Sequence, residues 1–448
     1  MKNSLPRLVA RSFWVILFFS VSSPVIHAQE KSTFTLNWPQ WRGYQNTGMV
    51  SGGNTPVEFS ETKNIKWKTE IPGKGHATPI IWGNQIIVQT AVVTDKKPET
   101  TGAAAQASPM AKNSTEFIHQ FKVISLDKTT GKIMWQTVVK EQLPIERTHD
   151  LGSWASNSPI TDGENIYAFF GSRGLFCLDF KGNIKWERNF GQMDIVASFG
   201  EGSSPAIYKD KIFIQWDHQG KSFLYALNKK TGAEAWTKER EEITSWATPL
   251  VVEVGGKAQL ITSATNKVRS YDTETGEIIW ECAGMTKNVI PNPMYADGIL
   301  YLLSGFRGNA IKAIDLANAK GDLTGSSAIL WEYNQDAPYT PSGVLMDGKL
   351  YFLKGNNGII TCLNAKDGKV IYSNQKLDGI TNIFSSPTGN NGKIYVAATG
   401  IVDVIKAGNE FSLLSSNVLD DTFHASPVIV GNDLFLRGFK SLYCISEK

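Results

Sequence analysis

LDKTTGKIMW at 126–135, LNKKTGAEAW at 227–236 and YDTETGEIIW at 271–280 are three copies of one pattern. Each copy closes an alternating apolar run, turns at a Thr-Gly pair and reaches a Trp a few residues later. Gly tolerates the positive φ of so tight a turn, and Asp, Asn and Lys accompany it well. Alternating Ile, Tyr, Phe and Val on either side suit half-buried strands. Each copy is therefore read as a strand, a turn and a second strand that carries an indole.

Working outward, every copy follows a Ser/Thr/Asn-Pro step and two more short strands. The steps are marked by Pro79, Pro159, Pro205, Pro249, Pro293, Pro341, Pro387 and Pro427. After the first interval they recur every 40–48 residues. A period of that length, built only of short strands, predicts an all-β fold: an eight-bladed β-propeller of four-stranded antiparallel blades. With strands A to D from the axis outward, blade two reads clearly. Strand A starts at Ser158-Pro159, B spans 166–170, C spans 175–179, and D contains Trp186. The D-strand aromatic recurs as Trp135, Trp186, Trp236, Trp280, Trp331 and Tyr372 and is read as a wedge against the next blade. Blade seven, about 383–416, lacks it.

Blade eight ends after strand C at Cys444-Ile445, while 64–68 has a D-strand pattern and precedes the first A strand. The expectation is a ring closed by that N-terminal strand, which removes an open sheet edge. Trp38-Pro39-Gln40-Trp41-Arg42-Gly43 is expected to pack across the seam. Residues 94–116, rich in Ala, Thr, Ser, Lys and Pro, read as a flexible insertion in the first blade.

The rest of the composition bounds the class. Lys2, Arg7 and Arg11 precede an apolar run at 13–21 and a cleavage-like end at Ala28, so 1–28 reads as a secretory signal peptide and 29–448 as one propeller domain. The reading places the protein in the periplasm or outside the cell. No Cys follows the apolar run, so no lipoprotein anchor is expected, and no later stretch is apolar enough to span a bilayer. Without 1–28 the chain carries 42 Lys and Arg against 42 Asp and Glu, which argues against nucleic acid or anionic membrane as a partner. Cys177, Cys362 and Cys444 share a repeat slot filled elsewhere by Ser125, Ala226, Ser270 and Ala313. That column wants a small side chain, so these are read as buried thiols rather than disulfides, as is Cys282.

Strand direction places the A–B and C–D turns on one face and the B–C and D–A loops on the other. The second set is irregular, polar and aromatic, which makes that face the functional candidate. Its loops supply His76, His149, Trp154, Arg173, Glu201, Asp217, His218, Trp246, Arg307, Lys354, His424 and Arg437 around the mouth of the ring. Cations and His with nearby Trp suit an anionic or aromatic ligand. The plain alternative is that the cations are solvated, or paired with acids such as Glu201 and Asp217. His119 is read as an exposed strand residue. No phosphate loop, nucleophile elbow, zinc helix or Cys-x-x-Cys is present, so no catalytic residue and no metal ligand is assigned.

The three quoted copies resemble the quinoprotein-type, or PQQ-like, propeller repeat, and the resemblance covers nearly all of 29–448. It implies one of two classes. In the quinoprotein dehydrogenases, pyrroloquinoline quinone (PQQ) and calcium occupy the funnel. Here Trp154 or Trp246 would stack on the quinone, Arg173 or Arg307 would meet its carboxylates, and Glu201, Asp217 and Asn292 would approach calcium. Asp150, Glu201 or Asp217 would be the base. The alcohol-dehydrogenase members also use two adjacent cysteines, which this chain lacks. The BamB-like propellers are non-enzymatic and help assemble outer-membrane β-barrel proteins. Size and blade number favour the second class. The expected function is binding or scaffolding of an envelope protein, a peptide or a small ligand, with no cofactor. The alternative is a PQQ- and calcium-dependent alcohol or sugar dehydrogenase.

Overall fold

The computed structural model describes Met1, 36–98 and 115–447. The expected leader (beyond Met1) and most of the 94–116 insertion lie outside these residues. Eight sheets follow one another along the chain, each built on four antiparallel strands, paired in sequence order in all but the last. Blade two consists of Ile160–Thr161, Ile166–Phe169, Leu175–Leu178 and Ile184–Arg188. In blade one the insertion separates strand B, Gln85–Val93, from strand C, His119–Asp127. Ile65–Glu70 pairs antiparallel with Ser441–Ile445 and closes the ring as the D strand of blade eight. Eight apolar clusters hold the blades together, one at each junction. Among the described residues no helix is long and apolar enough to cross a membrane.

The D-strand indoles act as wedges through a specific contact. Trp135 Nε1 donates to Phe180 O at 2.9 Å, Trp236 to Thr273 O at 3.1 Å and Trp331 to Ala365 O at 3.1 Å, each in the next blade. Trp67 and Trp186 do the same, so the closing strand supplies its own wedge. Each indole lies against the turn glycine of the blade it meets: Trp67 on Gly131, Trp135 on Gly182, Trp186 on Gly232, Trp236 on Gly276 and Trp331 on Gly368. Burying most of an indole contributes about 2–3 kcal/mol per junction. Across the sheet, Trp186, Trp67 and Tyr372 pair with Cys177, Cys444 and Cys362. Trp135, Trp236, Trp280 and Trp331 pair with Ser125, Ala226, Ser270 and Ala313. The small column therefore makes room for the ring opposite. All four cysteines are free and buried.

Trp280 departs from the pattern. It is fully buried and donates to Gln259 Oε1 in its own blade. The Thr324-Gly325 turn of blade five does not receive it, since nothing lies within 4 Å of a Cβ built at Gly325. A longer connection lies there instead, adding Gly321–Asp322 as a parallel fifth strand to blade four.

The N-terminal segment does more than lead into the closing strand. Trp38 packs with Trp67, Val428 and Phe435 where blades eight and one meet, as expected for the seam. The chain then crosses the axis. Thr161 N–H of blade two donates to Pro39 O at 2.9 Å. The buried Arg42 donates to Pro387 O at 2.8 Å and Gly343 O at 2.6 Å, in blades seven and six. Met49–Val50 then runs parallel to Thr388–Asn390. Further on, residues 55–59 slot between blades seven and eight. Lys393 Nζ donates to Thr55 O at 2.6 Å, and Phe59 N–H to Asn417 Oδ1 at 2.7 Å. Blade seven sets Ser415 opposite Val404, where other blades set an aromatic opposite a small residue. Phe59, buried among Val404, Leu419 and Tyr443, fills the space of the missing wedge.

Two expectations need correction. Pro341 does not mark strand A of blade six. That strand starts at Val344, so the equivalent step is Ser342-Gly343. His119 is buried, only 5% exposed, with its ring edge-on to Trp154 at 4.5 Å.

Candidate functional site

The residue before each marker proline, and Ser342 in blade six, lines the axis. Thr78 N–H donates to Ser158 Oγ at 2.9 Å, Ser158 N–H to Ser204 Oγ at 2.9 Å, and Ser204 N–H to Thr248 Oγ1 at 3.1 Å. Across the ring, Asn292 N–H donates to Ser342 Oγ, Ser342 N–H to Ser386 Oγ, Ser386 N–H to Ser426 Oγ and Ser426 N–H to Thr78 Oγ1. A belt of hydroxyls thus satisfies backbone donors that the innermost strands leave unpaired. The break falls at blade five, where Asn292 turns its amide to Asn46 O and Pro293 O instead.

Above the belt, on the B–C/D–A face, lies a cavity of about 460 Å³. Its floor is Trp41, delivered by the N-terminal crossing and donating Nε1 to Ser426 Oγ at 3.4 Å. One column of the repeat supplies a wall residue from every blade. His76, Ser156, Gly202, Trp246, Ile290, Thr340, Phe384 and His424 stand two places before the belt positions, and all eight line the cavity. Phe199, Phe306 and Tyr339 add further rings, the last two stacked at 4.7 Å.

Of the twelve residues singled out from the sequence, His76, His149, Glu201, Trp246 and His424 line this cavity. His76 and His424 meet edge to face at 4.8 Å. His424 Nδ1 contacts Leu151 O at 3.1 Å, and Nε2 of His76 is buried with no partner among the described residues. Burial above all, helped by the cations Lys74 and Arg437 and the second imidazole, drives the His76 pKa well below its usual range. Burial also lowers His424 to about 4. Both rings are neutral at pH 7. Glu201 accepts Ser172 N–H at 2.7 Å and Arg173 Nη1 at 3.0 Å, the ion pair being almost completely buried. Gly171, at φ 59°, leaves the space that this carboxylate occupies. Glu146 lies close by. Burial first and the charge of Glu201 second push its carboxyl up to about 8.

The other seven stand elsewhere. Arg173 sits behind Glu201, over the ring of Phe121. Asp217 is wholly buried in a two-pronged pair with Arg240, at 2.8 and 3.1 Å, which Thr262 and Tyr271 complete. This network joins blades three and four, where the apolar cluster is smallest. His218 stitches its own loop: Nδ1 accepts from Asp194 and Gly220 N–H, and Nε2 donates to Lys221 O. Trp154 donates to Glu146 O. Arg307 is exposed above the Phe306 ring, Lys354 pairs with Asp336, and Arg437 is buried against Gly438 O. The rings of Trp41, Phe199, Phe306, Tyr339 and Phe384 were not singled out. The wall column two residues before each Ser/Thr/Asn was the available signal.

The family model described as "Outer membrane protein assembly factor BamB" matches residues 44–220, 119–374 and 220–447, overlapping windows that span almost the whole ring. The chain belongs to this family. No curated protein matches the sequence. Among solved structures, BamB from Moraxella catarrhalis is similar over 80% of this chain and 99% of its own, at 14% identity and a TM-score of 0.52. A europium-containing methanol dehydrogenase is similar over 94% of this chain and 92% of its own, at 11% identity and a TM-score of 0.62. The quinohemoprotein alcohol dehydrogenase from Comamonas testosteroni covers 96% of this chain and 83% of its own, at 11% identity and a TM-score of 0.59. At such identities the likeness is one of fold.

The residues in the funnel do not fit a quinone and calcium. Among the described residues no Lys or Arg lines the cavity to meet quinone carboxylates, and of its three imidazoles His76 and His424 are neutral while His149 Nδ1 accepts Leu151 N–H. Glu201 is committed to Arg173, and Asp217 to Arg240. Among the described residues no three His, Cys, Asp or Glu converge as metal ligands. Calcium wants six to eight oxygens.

Proposed function

We propose that this chain is an exported, non-enzymatic binding propeller of the BamB kind that engages envelope proteins through the B–C/D–A face. One observation carries the reading. The aromatic-walled cavity on that face is preformed, and the acid within it is spent on an internal ion pair. Such a site holds a ligand by shape and stacking. Residues 1–28 act as the cleaved leader in this reading, so the mature protein should begin after Ala28 on N-terminal sequencing.

The test is photocrosslinking of the purified protein to an unfolded outer-membrane β-barrel polypeptide. One probe replaces Leu151, at the cavity mouth, and another replaces Asp347, on the opposite face. Adducts from position 151 alone are expected. Equal adducts from both faces, or none, would overturn the reading. The quinone alternative is tested by titrating PQQ with calcium. Binding at 100 times the dissociation constant would stabilise the fold by about 2.7 kcal/mol. A saturable shift of that kind would reinstate the dehydrogenase.

A further inference from the structure

The base of the cavity carries hydrogen-bond donors that no described group uses. Thr78, Ser158, Ser204 and Ser426 all reach the cavity. Each hydroxyl oxygen accepts a backbone N–H from the preceding blade. None of the four donates its own hydrogen to any described group. A hydroxyl that already accepts a bond is a polarised donor, and leaving it unmet in a buried site is costly. An occupant of the cavity must therefore bring hydrogen-bond acceptors to its base.

The walls set two further conditions. Trp41, Trp246, Phe306, Tyr339 and Phe384 present ring faces or edges, which reward an aromatic group with offset or edge-on packing. No Lys, Arg or Asp is among the described lining residues: Glu201 is paired with Arg173, the imidazoles of His76 and His424 are neutral, and His149 Nδ1 accepts Leu151 N–H at 3.1 Å. A charged occupant would lose its hydration with no counter-charge to replace it. These conditions together describe a flat, uncharged group flanked by carbonyl oxygens. An aromatic residue within an extended peptide has that chemistry, because its ring sits between two peptide carbonyls. The volume, about 460 Å³, falls in the range that encloses a small ligand.

We infer that the funnel binds an uncharged peptide segment by inserting one aromatic side chain between the ring walls, with the flanking carbonyls accepting from the belt hydroxyls. This rests on the proposed binding role and names the ligand class for the same cavity.

Calorimetric titration with blocked pentapeptides tests it. The probes are acetyl-Gly-Gly-Trp-Gly-Gly-amide, the same peptide with Ala or Glu at the centre, and free 3-methylindole, which has the ring without the carbonyls. The Trp peptide is expected to bind at least about tenfold tighter than each of the other three, a difference of about 1.4 kcal/mol. Leu151→Trp fills the mouth from a position 41% exposed and should cost the Trp peptide its advantage. Thr340→Trp, on the opposite wall, provides a second test if the first variant folds poorly. Equal binding of the Trp and Ala peptides, preference for the Glu peptide, or 3-methylindole matching the Trp peptide would each overturn the inference. Crosslinking at position 151 without any preference for the Trp peptide would sink the ligand class and leave the binding role standing. Absence of crosslinking would sink the role itself.

Discussion

Gly276→Ala should report directly on the wedge that joins blade three to blade four. Gly276 has φ 71°, and an added Cβ would stand 2.8 Å from Trp236 Cε3 and 2.9 Å from Lys238 Cε. Gly348 is a matched control, with φ 69° and nothing within 4 Å of a built Cβ. Forcing an L-residue into this left-handed conformation costs about 1–2 kcal/mol. Gly348→Ala should lose that much and no more. Gly276→Ala should lose the same plus about 1–3 kcal/mol of overpacking against the indole. The assay is urea denaturation followed by circular dichroism, with the comparison made at constant slope. In a Trp236→Leu background the extra loss should vanish, because the double-mutant cycle removes the atom that the methyl strikes. Equal losses at the two glycines, or an extra loss that survives in the Leu background, would refute the wedge as the reason for glycine in the turn.

Three more outcomes follow from the buried groups. Asp217→Asn breaks a pair with no solvent access and should lower stability by about 3–5 kcal/mol; a loss under about 1 kcal/mol in the same denaturation assay would mean the pair is dispensable. Phe59→Ala should cost about 3–5 kcal/mol, since the ring fills a closed junction, and a thermal melt near wild type would show that it does not. Glu146 titrates at about 8 in the folded state against 4.5 ordinarily. The native protein holds this proton while the unfolded chain releases it, so stability should fall as pH rises from about 4.5 to about 8. Glu146→Gln should remove that decline, worth on the order of 2 kcal/mol at pH 7 once partial exposure is allowed for, and unchanged melting curves at pH 5 and pH 8 would count against it.

The propeller was legible because its determinants are local and repeated. A turn glycine, an aromatic residue on the last strand and a small residue opposite recur in most blades, and each leaves a mark in one short stretch. The closing strand at 65–70 was legible for the same reason, since Trp67 repeats the D-strand signature. Charge was a poorer guide to the site. Arg173 and Asp217 sit on loops and Arg437 ends a strand, yet all three are buried and bonded to Glu201, Arg240 and Gly438, partners that no local pattern announces. Trp41 was assigned to the seam with Trp38, because nothing in a hexapeptide says that its second Trp will cross the axis. The hydroxyl belt was visible as a Ser/Thr/Asn-Pro step, but its purpose emerges only when each blade meets the next. Blade six shows the limit: its Pro stands two places early and its hydroxyl is followed by Gly343.

The strand that completes blade eight precedes blades one to seven in the chain, and its partner, Ser441–Ile445, follows them. The hydroxyl belt closes over the same span, from Ser426 to Thr78. A growing chain can fold blades one to seven in turn, but the circle has to wait. Until the last strand arrives, the edge of 65–70 stays open and Trp67 can only dock on one side. Joining such distant ends carries a large loop-closure entropy and belongs to slow, non-local folding steps. A chain that lacks Ser441–Ile445 would therefore be an arc with two unsatisfied ends, the form most prone to join edge to edge with another copy.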